Sequence, residues 1–125
     1  WAVWLFGSHK DAEVTAKINA LAQHRCVDLA GKTQLGEAID LLALARFVVS
    51  NDSGLMHVAA ALDRPMAALF GSSDPTHTPP LNEHAQVVYL GVECSPCFAR
   101  ECPLGHTRCL TEMTPAQVLA LMPRA

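Results

Sequence analysis

Val48-Val49-Ser50-Asn51-Asp52-Ser53-Gly54-Leu55-Met56-His57 changes character within a few residues: an apolar strand stops at polar residues and an apolar helix starts at once. A strand, a tight turn and a helix N-terminus in that order aim unpaired backbone N–H groups and the positive end of the helix dipole at one point, which suits a diphosphate. Asp52, Ser53, Gly54 and His57 stand at that point. Gly54, with no Cβ, lets a ligand approach the backbone closely. The competing reading of Asp52 and Ser53 is a plain helix N-cap.

Working outward from this turn, apolar runs alternate with segments of helical period. Residues 3–6 end at Gly7-Ser8 and read as a buried strand of a parallel sheet. Val14, Ile18, Leu21 and Ala22 recur at helical spacing, so residues 11–24 should pack that face on the sheet. Residues 26–29 are a second strand, with Cys26 in its core, and Leu35, Ala38, Ile39, Leu42 and Ala45 mark the next helix. Residues 47–50, 65–70 and 87–90 supply three more strands, and residues 55–62 form a helix apolar nearly all round. This alternation predicts an α/β fold with a doubly wound parallel sheet, whose ligands sit beyond the carboxyl ends of the strands. Thr114-Pro115-Ala116-Gln117 has the cap, first-turn proline and third-position amide of a last helix start.

Composition narrows the function. With 125 residues, half of them apolar, the chain has room for one compact domain. A charged fraction of 17% and a formal charge of −3 give no basic face for nucleic acid. No apolar run reaches the roughly 20 residues that span a bilayer. Trp1-Ala2-Val3-Trp4-Leu5-Phe6 lacks the basic flank of a signal peptide, so a soluble, cytoplasmic protein is expected. Because the chain opens without Met and directly in a strand, a further region upstream is also expected.

Leu5-Phe6-Gly7-Ser8, Leu29-Ala30-Gly31-Lys32-Thr33, residues 51–61, Leu69-Phe70-Gly71-Ser72-Ser73-Asp74-Pro75, and Cys94-Ser95-Pro96-Cys97 with Glu101-Cys102-Pro103-Leu104-Gly105-His106 form five blocks in order. In these blocks the chain resembles the bacterial lipopolysaccharide heptosyltransferases, glycosyltransferase family nine. The resemblance implies the Rossmann-like C-terminal half of a GT-B glycosyltransferase, with residues 1–125 as its nucleotide-sugar donor-binding domain. It implies ADP-heptose as donor and the lipopolysaccharide core as acceptor, reached through an N-terminal domain at the cytoplasmic face of the inner membrane.

On that reading Ser53 and Gly54 N–H groups stabilise charge growing on the leaving diphosphate without a metal, and His57 bonds a phosphate or sugar oxygen. Asp52, unfavourable facing phosphate, accepts from sugar hydroxyls. Lys32 and Ser72 are further contacts for the donor, with Ser73, Asp74, Thr76 and His77 near Ser72; Lys32 reads equally as a solvated turn residue. Ser8 and Asp11 read as a cap and a solvated charge, or as ribose contacts. No residue matches the family's general-base carboxylate, so this stretch is expected to bind donor without catalysing transfer.

Cys94, Cys97, Cys102 and Cys109, separated by two, four and six residues, enclose His106 in a loop without periodicity. A structural zinc, a disulfide and plain reduced thiols are all open here. The loop is expected to brace residues 91–110 against the domain and to leave donor binding untouched. The other classes the sequence admits are a stand-alone nucleotide-binding module and a zinc-organised interaction domain.

Overall fold

The computed structural model describes residues 1–124. They form two compact units, residues 1–41 and residues 42–124, and the division falls inside a helix. The strands accordingly pair in two parallel ladders.

In residues 1–41, β1 (Val3–Leu5) pairs in parallel with β2 (Cys26–Asp28), Val3 beside Cys26 and Leu5 beside Asp28. Between them lie a 3-10 turn, His9–Asp11, and α1, Ala12–Leu21. Ser8 and Asp11 form a reciprocal capping box at this turn: Ser8 N–H donates to Asp11 Oδ2 at 2.8 Å, and Lys10 N–H donates to Ser8 Oγ at 3.2 Å. That is the capping role.

Two expectations fail here. The strand at residues 3–6 is not buried, with Val3 and Trp4 both exposed. The apolar stripe of α1 is exposed too, Leu21 by 88%, and the buried residue of the helix is Thr15. The reason is polar. Thr15 Oγ1 donates to Asp28 Oδ2 at 3.1 Å, and one turn on Asn19 Oδ1 accepts the Cys26 N–H at 3.0 Å. These two bonds turn the Thr15–Asn19 edge toward β2 and rotate Val14, Ile18 and Leu21 outward.

α2, Leu35–Ala43, leads into residues 42–124, where β3 (Val48–Asn51), β4 (Met66–Phe70) and β5 (Ala85–Tyr89) make a parallel sheet in the order β3-β4-β5. β4 lies in the middle, and its Met66, Ala67, Ala68 and Phe70 are fully buried. α3, Gly54–Ala61, crosses from β3 to β4 and buries Met56, Ala59 and Ala60. Small alanines on both surfaces let helix and strand backbones approach closely, while Met56, Met66 and Phe70 fill the remaining space. The β4-to-β5 connection is irregular from Gly71 to His84, as expected of its Pro, Ser, Thr and Asp content.

Two short helices close the chain, α4 (Arg108–Thr111) and α5 (Pro115–Leu119). α5 starts as the sequence predicts: Thr114 Oγ1 accepts the Gln117 N–H, and Gln117 Oε1 accepts the Thr114 N–H at 2.7 Å. α4 went unforeseen because four residues carry no period. No helix among the described residues is long and apolar enough to cross a membrane.

Candidate functional site

β3 ends at Asn51, and α3 begins at Gly54, so Asp52 and Ser53 form the whole turn. Ser53 is the N-cap by position, extended at φ −154° and ψ 171°, yet its side chain makes no capping hydrogen bond. Its hydroxyl stands 3.4 Å from Ser50 Oγ instead. α3 therefore starts without the side-chain acceptor that usually occupies first-turn N–H groups, and the positive end of its dipole is not offset by an acid in that turn.

Asp52 is not a cap either. Its Oδ2 accepts a 2.6 Å hydrogen bond from Ser73 Oγ, in the loop that follows β4. The carboxylate is thus held at the carboxyl edge of the sheet, half-buried, with its second oxygen not engaged by that bond. A Cβ built on Gly54 meets no atom within 4 Å, so the space above the first turn of α3 is open. His57, one turn on, is exposed. Asp52, Ser53, Gly54 and His57 are brought together as the sequence predicts.

Ser72 and Ser73 divide between two places. Ser73 reaches Asp52, whereas Ser72 lines a cavity of about 90 Å³ together with Cys94, Cys97, Cys102, His106 and Cys109. Asp74 closes the loop by accepting from Thr76 N–H at 2.8 Å and Thr76 Oγ1 at 2.7 Å, and these bonds hold its carboxyl below the ordinary value. Lys32 is exposed in the turn after β2, its N–H bonded to Leu29 O at 3.0 Å.

The cysteine segment, distant in sequence from the donor motifs and expected to brace against the domain, is docked on this same loop. Phe98 N–H donates to Ser72 O at 2.7 Å, and Ser95 Oγ donates to Gly71 O at 2.9 Å. The Phe98 ring stacks on His77 with centroids 6.1 Å apart. Residues far apart in sequence share an edge because β4 ends beneath them. Sequence reasoning had no local signal for this contact.

Fold and turn together define a parallel α/β protein with an uncapped helix N-terminus at the carboxyl edge of its sheet. The chain belongs to glycosyltransferase family 9, the heptosyltransferases, whose profile matches residues 1–108. It is 45% identical over 123 residues to lipopolysaccharide heptosyltransferase 2 of Salmonella typhimurium, covering 95% of this chain and 35% of that protein. It is 44% identical over the same length, with the same coverages, to the Escherichia coli K12 protein of that name. Among solved structures, the E. coli ADP-heptose LPS heptosyltransferase II superposes with a TM-score of 0.69 at 51% identity, covering 72% of this chain and 28% of that one. A family 9 glycosyltransferase from Veillonella parvula gives 0.80 at 25% identity, over 97% of this chain and 35% of that one. The chain spans about a third of the length of the curated relatives it matches.

Proposed function

We propose that this chain is the nucleotide-sugar donor-binding part of an inverting heptosyltransferase, which moves heptose from ADP-L-glycero-D-manno-heptose to the inner core of lipopolysaccharide at the cytoplasmic face of the inner membrane. Family membership supports the reaction class. The observation that carries the placement is the start of α3: no side chain caps it, Gly54 faces open space, and a carboxylate held by Ser73 stands beside it.

In the transfer, an acceptor oxygen bonds to the anomeric carbon while the bond from that carbon to the β-phosphate oxygen breaks. The electron pair leaves with ADP, and the acceptor's proton goes to a base that no residue of this chain is assigned to supply. What must be stabilised is the charge growing on the departing diphosphate. The Ser53 and Gly54 N–H groups and the α3 dipole do this by fixed geometry, needing no metal. His57 donates to a phosphate or sugar oxygen. Asp52 is repelled by phosphate and attracted to hydroxyl donors, so it takes the sugar. Ser72 supports the loop that carries Ser73.

Titration with ADP and with ADP-heptose, followed by calorimetry and two-dimensional NMR, tests the placement. The Ser53, Gly54 and His57 amides should shift first. In Asp52→Ala, ADP affinity should survive while ADP-heptose affinity falls. Shifts confined to residues 91–110, or equal loss of both ligands in Asp52→Ala, would refute it.

A further inference from the structure

Among the described residues no three Cys, His, Asp or Glu side chains stand close enough to hold an ion, so the geometry does not support zinc at Cys94, Cys97, Cys102 and Cys109. What the cysteine segment holds out at the carboxyl edge of the sheet is an aromatic ring. Phe98 is 60% exposed although it is large and apolar. Its φ is 57°, in the left-handed region that suits glycine and strains a bulky side chain. Neither the core nor the backbone therefore gains from a phenylalanine at this point. Strain of this kind, held in place by the surrounding structure, is found where a side chain meets a ligand.

Three consecutive residues of the loop after β4 each fix a different group. Ser72 O accepts the Phe98 N–H at 2.7 Å, and Ser73 Oγ donates to Asp52 Oδ2 at 2.6 Å. Asp74 Oδ2 stands 3.8 Å from His77 Nε2, while its Oδ1 accepts from Thr76 and its backbone O accepts the His77 N–H at 3.1 Å. The loop thus sets the Asp52 carboxylate and the His77–Phe98 pair along one rim. The two rings are 22° from parallel with centroids 6.1 Å apart. Face-to-face overlap would bring the centroids to about 3.5–4.0 Å, the contact distance of carbon atoms, so these rings overlap only at their edges. They form a stepped ledge that is open to solvent, the His77 side chain by 69%.

A pyranose ring carries two kinds of surface. Its hydroxyls are donors that a carboxylate accepts, and its axial C–H groups make an apolar, faintly positive face that packs on the negative face of an aromatic ring. Resting on the placement of the donor at the start of α3, we propose that the His77–Phe98 ledge is the floor on which the donor's heptose ring lies while Asp52 accepts its hydroxyls. Adenine also stacks on aromatic rings, but Ser73 ties this loop to the carboxylate that takes the sugar, and the diphosphate separates the adenosine from it.

NMR of the chain with ADP-heptose should show nuclear Overhauser contacts from the Phe98 and His77 ring protons to heptose C–H protons, with those heptose signals moved upfield by the ring currents. The adenine protons should show neither effect. Phe98→Gly removes the ring and suits the left-handed backbone, so the variant should remain folded. Its ADP-heptose affinity should fall about fivefold, the size of one aromatic contact, while ADP affinity holds. Phe98→Tyr should bind ADP-heptose as the parent does, and His77→Ala should weaken it in the same direction as Phe98→Gly. The contacts are read on the unaltered chain and stand even where a variant misfolds. Heptose protons that touch neither ring, or equal losses of ADP and ADP-heptose in Phe98→Gly, overturn the ledge. If Phe98→Gly binds ADP-heptose as the parent does while Asp52→Ala still weakens it, the ledge alone falls; if ADP-heptose binding ignores Asp52 and leaves Ser53 and Gly54 unshifted, the donor placement falls and the ledge with it.

Discussion

Ser73 Oγ and Asp52 Oδ2, 21 residues apart in sequence, are joined by a 2.6 Å hydrogen bond that ties the loop after β4 to the turn after β3. Because the acceptor is a carboxylate, the bond is of the charge-assisted kind, and it fixes the orientation of Asp52 before any ligand arrives. A free carboxylate would have to be ordered on binding, at a cost of up to about 1.5 kcal/mol for a side chain with several rotamers.

Ser73→Ala should therefore weaken ADP-heptose binding about tenfold, the equivalent of about 1.4 kcal/mol. ADP binding should change little, because Asp52 serves the sugar. Ser72→Ala should affect neither directly, since Ser72 faces the cysteine cavity. Calorimetric titration of both ligands into both variants checks this. If Ser72→Ala carried the loss and Ser73→Ala did not, the assignment between the two serines would be reversed.

Gly54 offers a sharper separation of binding from stability. A Cβ at this position meets nothing within 4 Å in the protein, so Gly54→Ala should leave the melting temperature unchanged or slightly raised, since alanine has less backbone freedom to lose than glycine. Gly54→Val should be similarly well folded. Both should lose ADP affinity, Val by tenfold or more, because the added methyl groups occupy the approach to the first-turn N–H groups. Thermal melts paired with ADP titrations decide it, and a variant that melts normally and binds ADP normally would remove the diphosphate from this turn.

The turn was legible in the sequence because its signal is local. The hydrophobic period switches from strand to helix between Ser50 and Gly54, and only a few backbone geometries join the two. The start of α5 was legible for the same reason, since a capping box and a proline at the first position need no tertiary partner. α1 shows the opposite case. Its 3.6-residue period states which side chains share a face but not which face meets the sheet, and that was settled by Thr15 and Asn19 finding partners in β2. The Ser72–Ser73 pair is illegible in the same way: neighbouring residues of an irregular segment point to different sides, and only the surrounding structure assigns them. Docking of the cysteine segment on Gly71 and Ser72 is a long-range contact with no periodicity to announce it.

Glu112 carries a pH prediction. Arg108 Nε donates to Glu112 Oε1 at 2.7 Å, and this bond, with the guanidinium charge behind it, holds the Glu112 carboxyl below its ordinary value of 4.5. A carboxyl lowered on folding contributes stability above its unfolded value and loses it as pH falls through the folded value, so the effect lies in the acid range below 4.5. Both side chains are about half exposed, so screening keeps the contribution small. NMR titration of the Glu112 side chain should show the lowered value, and Arg108→Gln should return it upward. An unchanged titration in Arg108→Gln would mean that the pair does not persist in solution.

Gly71 gives the strongest structural test, because it is the residue on which the cysteine segment rests. A Cβ there would lie 2.8 Å from Leu110 Cγ, 2.9 Å from Leu110 Cδ2 and 3.1 Å from Cys109 Sγ. Such contacts force the neighbours aside, and overpacking of this kind costs about 1–3 kcal/mol. Gly71 directly follows β4, whose Phe70 is fully buried, so the strand is poorly placed to yield and the Leu110 and Cys109 side chains must shift instead. Gly71→Ala should thus lower the melting temperature and raise hydrogen exchange across residues 94–111 while leaving β3 and β4 protected. The displaced segment also pulls on Gly71 O and Ser72 O, one residue from Ser73, so ADP-heptose affinity should fall as well. Exchange mass spectrometry with ligand titration measures both effects. Exchange unchanged in residues 94–111 would show that the segment does not bear on Gly71, and unchanged ADP-heptose affinity would show that its docking does not reach Asp52.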